Sequence, residues 1–289
     1  MFTIESPLLK ATIQAKGAEL TSLVHKETGI DHMWSGDPAV WGKHSPILFP
    51  IVGSLKDNTY YYQGQAYQLS RHGFARELPF AVETHTADAI TFLLKHSAET
   101  LKVFPFAFEL RLTYTAIDDT LGLTYQVSNP AKEPMYFSIG AHPAFKVPLA
   151  PDTAYTDYYL EFDQPETAGR WHLETGGLLA SASTPLLDNT NLLPLRKDLF
   201  YKDALVLKGL RSTQVTLRSA STAHGLRMDF PGFPFFGIWA AVDADFVCLE
   251  PWCGITDSAQ TSQQLPEKEG INRLAGGESF RRTCTLQLF

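Results

Sequence analysis

The feature that most constrains the fold is a period-two alternation of apolar and polar residues, sustained between Phe80 and Val127. Four runs carry the alternation: FAVETHT, AITFLLKHS, FAFELRLTYTA and LGLTYQVSN, with turn-forming pairs such as Asp118-Asp119 between them. Successive side chains of a strand point to opposite faces of a sheet, so this pattern predicts an antiparallel meander. Shorter alternating runs recur in residues 2–35 and in the C-terminal SFRRTCTLQLF.

Segments with a helical period are short throughout the chain. None exceeds about two turns, so few segments could serve as the crossover helices that parallel strands require. No Gly/Ser-rich or Pro-rich linker divides the 289 residues, and large β-sandwiches of this length form one domain. The sequence therefore predicts a single all-β domain, residues 1–289, made of large packed antiparallel sheets.

Two parts of the chain are harder to interpret. Residues 150–203 are less regular, and only Tyr158–Phe162 is predicted there as a strand before the apolar run that follows Asp203. Near the N-terminus, His25 and His32 flank the polar turn KETG. Such positions favour solvated surface histidines.

Composition and net charge limit the classes of partner that this protein is expected to bind. The net charge of −7 and the absence of any Lys/Arg-rich block argue against nucleic acid or an anionic membrane. The three cysteines, Cys248, Cys253 and Cys284, have neither a disulfide framework nor zinc-ligand spacing, so inert buried thiols and no metal are expected. No signal peptide or membrane-spanning run is recognisable, which predicts a cytoplasmic protein.

A carboxylate at the end of an apolar run is the first candidate for chemistry. Phe246–Leu249 is predicted as a strand buried on both faces, Glu250 follows it, and Pro251 is expected to end the strand because proline lacks an N–H donor. Partial burial beside Trp252 would raise the pKa of Glu250 toward that of a useful general base. A structural glutamate paired with an arginine remains the alternative at this point.

Two histidines lie in similar settings. His72 stands in RHGFAR and His142 in IGAHPAF, each in a loop bounded by glycine or proline, and Asp203 in FYKD is a weaker further case. Each motif alone is weak evidence for a catalytic role, because most histidines in such loops have a structural role. Together with Glu250 in one concave sheet they would supply general acids and a base, and aromatic residues nearby would supply a surface for stacking a sugar.

Taken together, the stretches HSPILFPIVG, RHGFAR, GAHPAF and FVCLEPWCGITDS resemble, in order and spacing, the aldose 1-epimerase (galactose mutarotase) superfamily. Within it they resemble the LacX-like branch of galactose mutarotase-related proteins, over roughly residues 3 to 288. The resemblance implies a β-supersandwich fold. It also implies an isomerase that interconverts the α and β anomers of a hexose by opening and reclosing the ring, without a cofactor.

The resemblance also implies roles for individual residues. Glu250 matches the family's base, His142 its general acid, and His72 the histidine that binds near the ring oxygen. Asp203 most closely matches the aspartate that holds sugar hydroxyls. Arg71 and Arg76, which flank His72, are candidates to contact hydroxyls or a phosphate. Trp41, Trp252 and Phe145 are candidates to stack on the apolar face of the sugar, with packing in the core as the alternative for each.

One departure from the family pattern concerns the substrate. An arginine is expected after FPIVG, whereas this chain has Ser54, followed by Leu55 and Lys56. Serine and lysine do not reproduce the bidentate fork of arginine. A hexose-6-phosphate 1-epimerase, with Arg71, Arg76 or Lys56 on the phosphate, is therefore one alternative. A non-catalytic carbohydrate-binding or sensing protein is another, because fold alone does not determine function.

Overall fold

The computed structural model describes all 289 residues, and strands joined by short turns dominate it. The strands, in chain order, are β1 (Phe2–Glu5), β2 (Leu9–Ile13), β3 (Leu20–His25), β4 (Ile47–Leu48), β5 (Thr59–Tyr62), β6 (Gln65–Gln68), β7 (Ala81–His85), β8 (Ala89–Lys95), β9 (Glu109–Ile117), β10 (Thr120–Ser128), β11 (Met135–Phe137), β12 (Ile139–Ala141), β13 (Ala144–Lys146), β14 (Tyr158–Leu173), β15 (Leu179–Pro194), β16 (Leu205–Lys208), β17 (Gln214–Ser219), β18 (Leu226–Asp229), β19 (Phe235–Trp239), β20 (Phe246–Cys253), β21 (Asn272–Leu274) and β22 (Ser279–Leu288). The helices are α1 (Ala98–Val103) and short 3₁₀ turns at Lys56–Asn58, Ala75–Glu77, Tyr155–Asp157, Thr175–Gly177, Lys197–Phe200 and Leu265–Glu267.

One sheet of 15 strands organises the molecule. Its order is β4-β12-β20-β19-β16-β14-β17-β18-β22-β10-β9-β8-β7, with β13 also paired to β20 and β15 to β14. Smaller sheets are formed by β1-β2-β3, β5-β6 and β11-β21. The pairs of the meander and those around β20 are antiparallel. The predicted all-β fold of large antiparallel sheets is confirmed.

The predicted meander is also confirmed. Strands β7, β8, β9 and β10 are neighbours in sequence order, and every second residue of β9 and β10 is buried along most of their length. Asp118 and Asp119 form the turn between β9 and β10, where Ile117 pairs with Thr120. The apolar face of this ribbon packs into the core, which fixes its register, because a slip of one residue would expose that face.

Residues 150–203 contain much more strand than the sequence predicts. The short strand expected at Tyr158–Phe162 extends to Leu173 and forms a long hairpin with β15. The pairing shifts register at four points between Glu161 and Leu173. Each shift interrupts the period-two pattern, and the half of β15 nearest the hairpin tip is mostly exposed. The alternation on which the prediction depended is therefore missing here.

His25 and His32 are buried, so the expectation of solvated side chains is wrong. Their exposed fractions are 8% and 0%. The chain folds back after the turn, where Val24 bridges to Asp31. Nδ1 of His32 lies 3.2 Å from the carbonyl oxygen of Ile30, and burial lowers the pKa of His32 to about 4.

The apolar interior has two parts. The larger cluster contains 68 buried residues. The smaller has 7, including Val52, Ala204, Val206 and Trp252, and these four line a cavity beside strands β16, β19 and β20. None of the helices is both long and apolar enough to cross a membrane.

Candidate active site

Strand β20 forms part of the cavity wall through Glu250 and Trp252. All eight of its residues are buried. Side chains alternate along it, so Cys248, Glu250 and Trp252 point to one face. The prediction that Pro251 ends the strand is wrong, because β20 continues to Cys253. Pairing with β13 reaches Cys248 and pairing with β12 begins at Trp252. Pro251 therefore lies where this side of the ladder is already interrupted, and its missing N–H costs no hydrogen bond there.

The register of these strands brings His142 to Glu250. Gly140 of β12 pairs two positions beyond Glu250, and Ala144 of β13 pairs two positions before it. His142, midway between those residues, faces Glu250 where the two short strands part. Its Nε2 lies 3.5 Å from a carboxylate oxygen of Glu250.

Aromatic rings enclose this pair. Trp41 stacks on the imidazole of His142 with ring centres 5.1 Å apart, and Trp239 meets it nearly at right angles at 5.6 Å. The indole of Trp252 lies across the two neighbouring strands, where a Cβ at Gly140 or Gly237 would come within 2.5 Å and 2.3 Å of it. Glycine at both positions is what lets Trp252 lie flat as a wall of the cavity.

His72 lies in a loop with a left-handed backbone. Its φ is 69° and that of Gly73 is 71°, and a Cβ at Gly73 would collide with the carbonyl oxygen of Phe49. The backbone N–H of His72 donates to the Gly53 carbonyl at 2.8 Å. The Gly53 N–H in turn donates to Nδ1 of His72 at 3.1 Å. Because Nδ1 accepts, the neutral ring carries its proton on Nε2 and can donate there.

Asp203 occupies a second left-handed position, with φ of 65°. Its Oδ1 accepts from the N–H of Ala204 at 2.8 Å, and its Oδ2 lies 3.6 Å from Nη1 of Arg71. Arg170 on β14 fixes the turn by donating to the carbonyl oxygens of Leu199, Lys202 and Asp203. A non-glycine residue held at positive φ costs free energy and is often found at functional sites.

The tip of the β14–β15 hairpin closes one side of the cavity through Leu173 and Gly177. Two hydrogen bonds of 2.7 Å anchor it to the loop after β20. Thr256 Oγ1 donates to the Gly177 carbonyl, and the Leu179 N–H donates to the Asp257 carbonyl. Sequence reasoning missed this element. The Thr-Gly-Gly run at the tip was the available turn signal.

Ser54 lies beneath that tip and is 4% exposed. A Cβ on Gly177 would come within 2.8 Å of the Ser54 hydroxyl and 3.5 Å of Nη1 of Arg71. The hairpin tip therefore fills the space into which a long side chain at position 54 would extend. This accounts sterically for serine where the family pattern led us to expect arginine.

The cavity measures about 340 Å³, within the usual range for small-molecule sites. Eight of the residues that the sequence nominated as catalytic or substrate-binding line it: Trp41, Arg71, His72, Arg76, His142, Asp203, Glu250 and Trp252. Two further nominees lie elsewhere. Phe145 is fully buried in the main core, and Lys56 donates to the Ala259 carbonyl at 2.9 Å outside the cavity lining.

Burial dominates the electrostatics of the pair. It raises the pKa of Glu250 well above that of an ordinary carboxyl group, with Arg71 acting in the opposite direction. Burial lowers the pKa of His142 to about 3. The pKa of His72 is also well below its usual value, first because of burial and then because of the charges of His142, Arg71 and Arg76. Burial therefore favours the neutral form of both histidines.

The cavity combines a buried carboxyl group beside an imidazole with further polar side chains and indole walls, which are the kinds of group that suit proton transfer and the stacking of a sugar ring. The family model for aldose 1-epimerase matches residues 1–287. The chain belongs to the aldose 1-epimerase family. Family membership implies an isomerase-type carbohydrate enzyme with a sugar as substrate.

Individual relatives agree with this placement. Protein LacX (plasmid) of Lactococcus lactis subsp. lactis is 37% identical over 297 aligned residues, which cover 99% of both chains. The galactose mutarotase related enzyme from Lactobacillus acidophilus superposes with a TM-score of 0.93 at 37% identity, over 100% of this chain and 97% of that one. A galactose mutarotase-like protein from Lactobacillus casei ATCC 334 gives a TM-score of 0.94 at 33% identity over all of both chains.

Proposed function

We propose that this protein is an aldose 1-epimerase that interconverts the α and β anomers of a hexose, with Glu250 and His142 exchanging the protons. The observation that carries the proposal is the 3.5 Å separation of Nε2 and the carboxylate oxygen inside a sugar-sized cavity. The two atoms that exchange protons in mutarotation, O1 and O5, are bonded to the same carbon. Two groups this close together can reach both oxygens at once.

In the reaction, Glu250 removes the proton from O1 while His142 donates a proton to O5, and the C1–O5 bond breaks to leave an aldehyde. Rotation about C1–C2 presents the other aldehyde face. Reclosure returns each proton to its source and leaves the opposite anomer. Each positioned transfer contributes roughly 10²–10⁴-fold to the rate.

The pKa shifts support a pair that shares one proton. Burial favours the protonated carboxyl group of Glu250 and the neutral ring of His142. This is the protonation state that ring opening produces, so the resting site matches the open-chain sugar. A cyclic sugar requires the proton on His142, which is a transfer across 3.5 Å. The Arg71 charge already favours the ionised carboxylate of Glu250, and sugar hydroxyls would add to that effect.

The neighbouring groups suit sugar recognition. Neutral His72 presents an Nε2–H donor, which fits a role in holding the ring oxygen rather than in moving a proton. Asp203 keeps acceptor capacity beyond its bond to the Ala204 N–H, and its loose 3.6 Å contact with Arg71 leaves both groups able to bind hydroxyls. The indole of Trp252 offers a face for the apolar side of the ring.

A phosphorylated hexose is the second candidate, because Arg71 and Arg76 both line the cavity. Arg76 donates from Nη2 to the Arg71 carbonyl at 2.9 Å. A charged arginine donor in the cavity lining suits an anionic oxygen. Anomerisation rates for free hexoses and for their 6-phosphates separate the two. A preference for the phosphate above about tenfold, more than 1.4 kcal/mol, would replace the free sugar as substrate.

Substitution of the proposed base tests the function. Glu250→Gln keeps the size of the side chain but cannot accept the O1 proton, so we expect catalysed mutarotation to fall by about 10²–10⁴-fold. The measurement is polarimetry on freshly dissolved α-aldose, corrected for the spontaneous rate. Glu27→Gln, on an exposed turn, is the matched control and should keep full activity. Near wild-type rates in Glu250→Gln would refute the assignment, and an inactive wild type that binds sugar would favour a sensing protein.

A further inference from the structure

A thiol lies next to the proposed catalytic pair. Three atoms that could bind a metal ion, a ring nitrogen of His142, Sγ of Cys248 and a carboxylate oxygen of Glu250, lie within 4.8 Å of one another. All three residues are buried. We propose that these three side chains form a binding site for a thiophilic metal ion such as Zn²⁺, and that the ion inhibits the enzyme by occupying its acid–base pair.

The sheet places the three ligands together. Cys248 and Glu250 are two residues apart on β20 and therefore share a face, while His142 is opposite Glu250 and the next paired residue, Ala144, is opposite Cys248. In a tetrahedral site, Zn–N and Zn–O bonds of about 2.0–2.2 Å set neighbouring ligand atoms about 3.3–3.6 Å apart. The 3.5 Å between Nε2 and the carboxylate oxygen already meets that requirement.

The ligand set determines which ion binds and how it enters. A thiolate with an imidazole and a carboxylate favours Zn²⁺ and similar ions over Mg²⁺ or Ca²⁺, which prefer oxygen ligands alone. His142 and Glu250 line the cavity, whereas Cys248 is fully covered behind them. The ion therefore enters through the sugar cavity, and its fourth position faces that cavity, open to water.

Inhibition follows from the atoms that the ion would occupy. The Nε2 lone pair and the carboxylate are the groups proposed to exchange protons with the sugar, and a bound cation removes both from that exchange. Aldose and metal would compete for one cavity. This inhibitory consequence rests on the proposed function, whereas metal binding itself does not.

Binding is tested with Co²⁺, whose thiolate complexes absorb in the near ultraviolet. Tag-free protein, freed of metal with a chelator, is titrated with Co²⁺. We expect one ion per chain, a charge-transfer band in the wild type, and loss of that band with at least tenfold weaker binding in Cys248→Ser. Cys253→Ser is the matched control, because Cys253 lies on the same strand facing the opposite side, and it should retain the band. Absence of the band from the wild type, or its persistence in Cys248→Ser, would overturn the site.

The second test measures the inhibition of mutarotation by the metal ion. Zn²⁺ should inhibit mutarotation competitively with the aldose, and Cys248→Ser should raise the half-inhibitory concentration at least tenfold, each variant being normalised to its own metal-free rate. If Cys248→Ser does not fold, His142→Asn supplies the same comparison in the Co²⁺ titration. Activation by Zn²⁺, or inhibition equally strong in the serine variant, contradicts the proposal. A wild type that binds Co²⁺ through Cys248 but never catalyses mutarotation supports the metal site and refutes the proposed function.

Discussion

A buried ion pair behind the cavity gives the most quantitative prediction. Nζ of Lys268 donates to Oδ1 of Asp257 and to the Ile255 carbonyl, both at 2.6 Å, and the charged side chains of both residues are only 3% exposed. The other carboxylate oxygen of Asp257 accepts from the Lys56 N–H at 3.0 Å. Lys268→Met fills a similar volume but leaves a buried carboxylate with one donor and a buried carbonyl with none.

The expected loss of stability is large. Removing one partner of a buried pair costs about 3–5 kcal/mol, because the remaining charge is left uncompensated. A chain of this length loses about 2 °C of melting temperature per kcal/mol. We therefore expect Lys268→Met to lower Tm by roughly 6–10 °C, measured by differential scanning calorimetry.

An exposed pair with the same bond length serves as the control. Lys102 and Glu99 are also 2.6 Å apart, but their side chains are 66% and 79% exposed. Water screens such a pair, which contributes about 0.3–0.5 kcal/mol in a helix, so Lys102→Met should change Tm by about 1 °C or less. Equal losses in the two lysine variants would refute the reasoning, because burial would then not determine the cost.

The same substitution should affect the cavity. The carbonyl of Asp257 accepts from the Leu179 N–H at 2.7 Å, and this bond holds the hairpin tip over the site. Loosening the loop should therefore raise KM for the sugar more than it lowers kcat, since neither Glu250 on β20 nor His142 between β12 and β13, the proposed acid–base pair, is part of the loop. An unchanged KM alongside a large loss of Tm would separate the loop from substrate binding.

The remaining predictions concern pH and the serine beneath the tip. If the pair works with one shared proton, kcat/KM should show no acid limb near 6.5. It should fall toward about pH 3, where His142 becomes protonated, and as the pH rises through the pKa of Glu250, which burial raises. A fall centred near 6.5 would show that His142 titrates normally. Ser54→Arg should displace Gly177 and raise KM by at least tenfold, about 1.4 kcal/mol, whereas unchanged kinetics would show that the tip can move aside.

The sequence predicts those parts of the molecule that are specified by neighbouring residues, such as an alternating strand or a short motif. Alternation along β9 and β10 specifies the meander because one face of each strand is buried for its whole length. The motifs around His72, His142 and Glu250 are each short, so each of these residues can be nominated from a few consecutive positions, before the fold is known. The long hairpin is different. Its register shifts break the alternation, and the position of Gly177 over the cavity depends on contacts with Thr256, 79 residues away in sequence.

The pairing of His142 with Glu250 likewise depends on sheet register, which no single motif contains. Gly140 and Ala144 pair with β20 on either side of Glu250, so a slip of one residue would turn His142 or the carboxylate to the other face. Between β12 and β13 the backbone pairing with β20 is interrupted opposite Glu250. Pro251, which has no N–H to donate, is compatible with this interruption. We infer that this interruption makes room for the side chains of His142 and Glu250 to meet within the sheet.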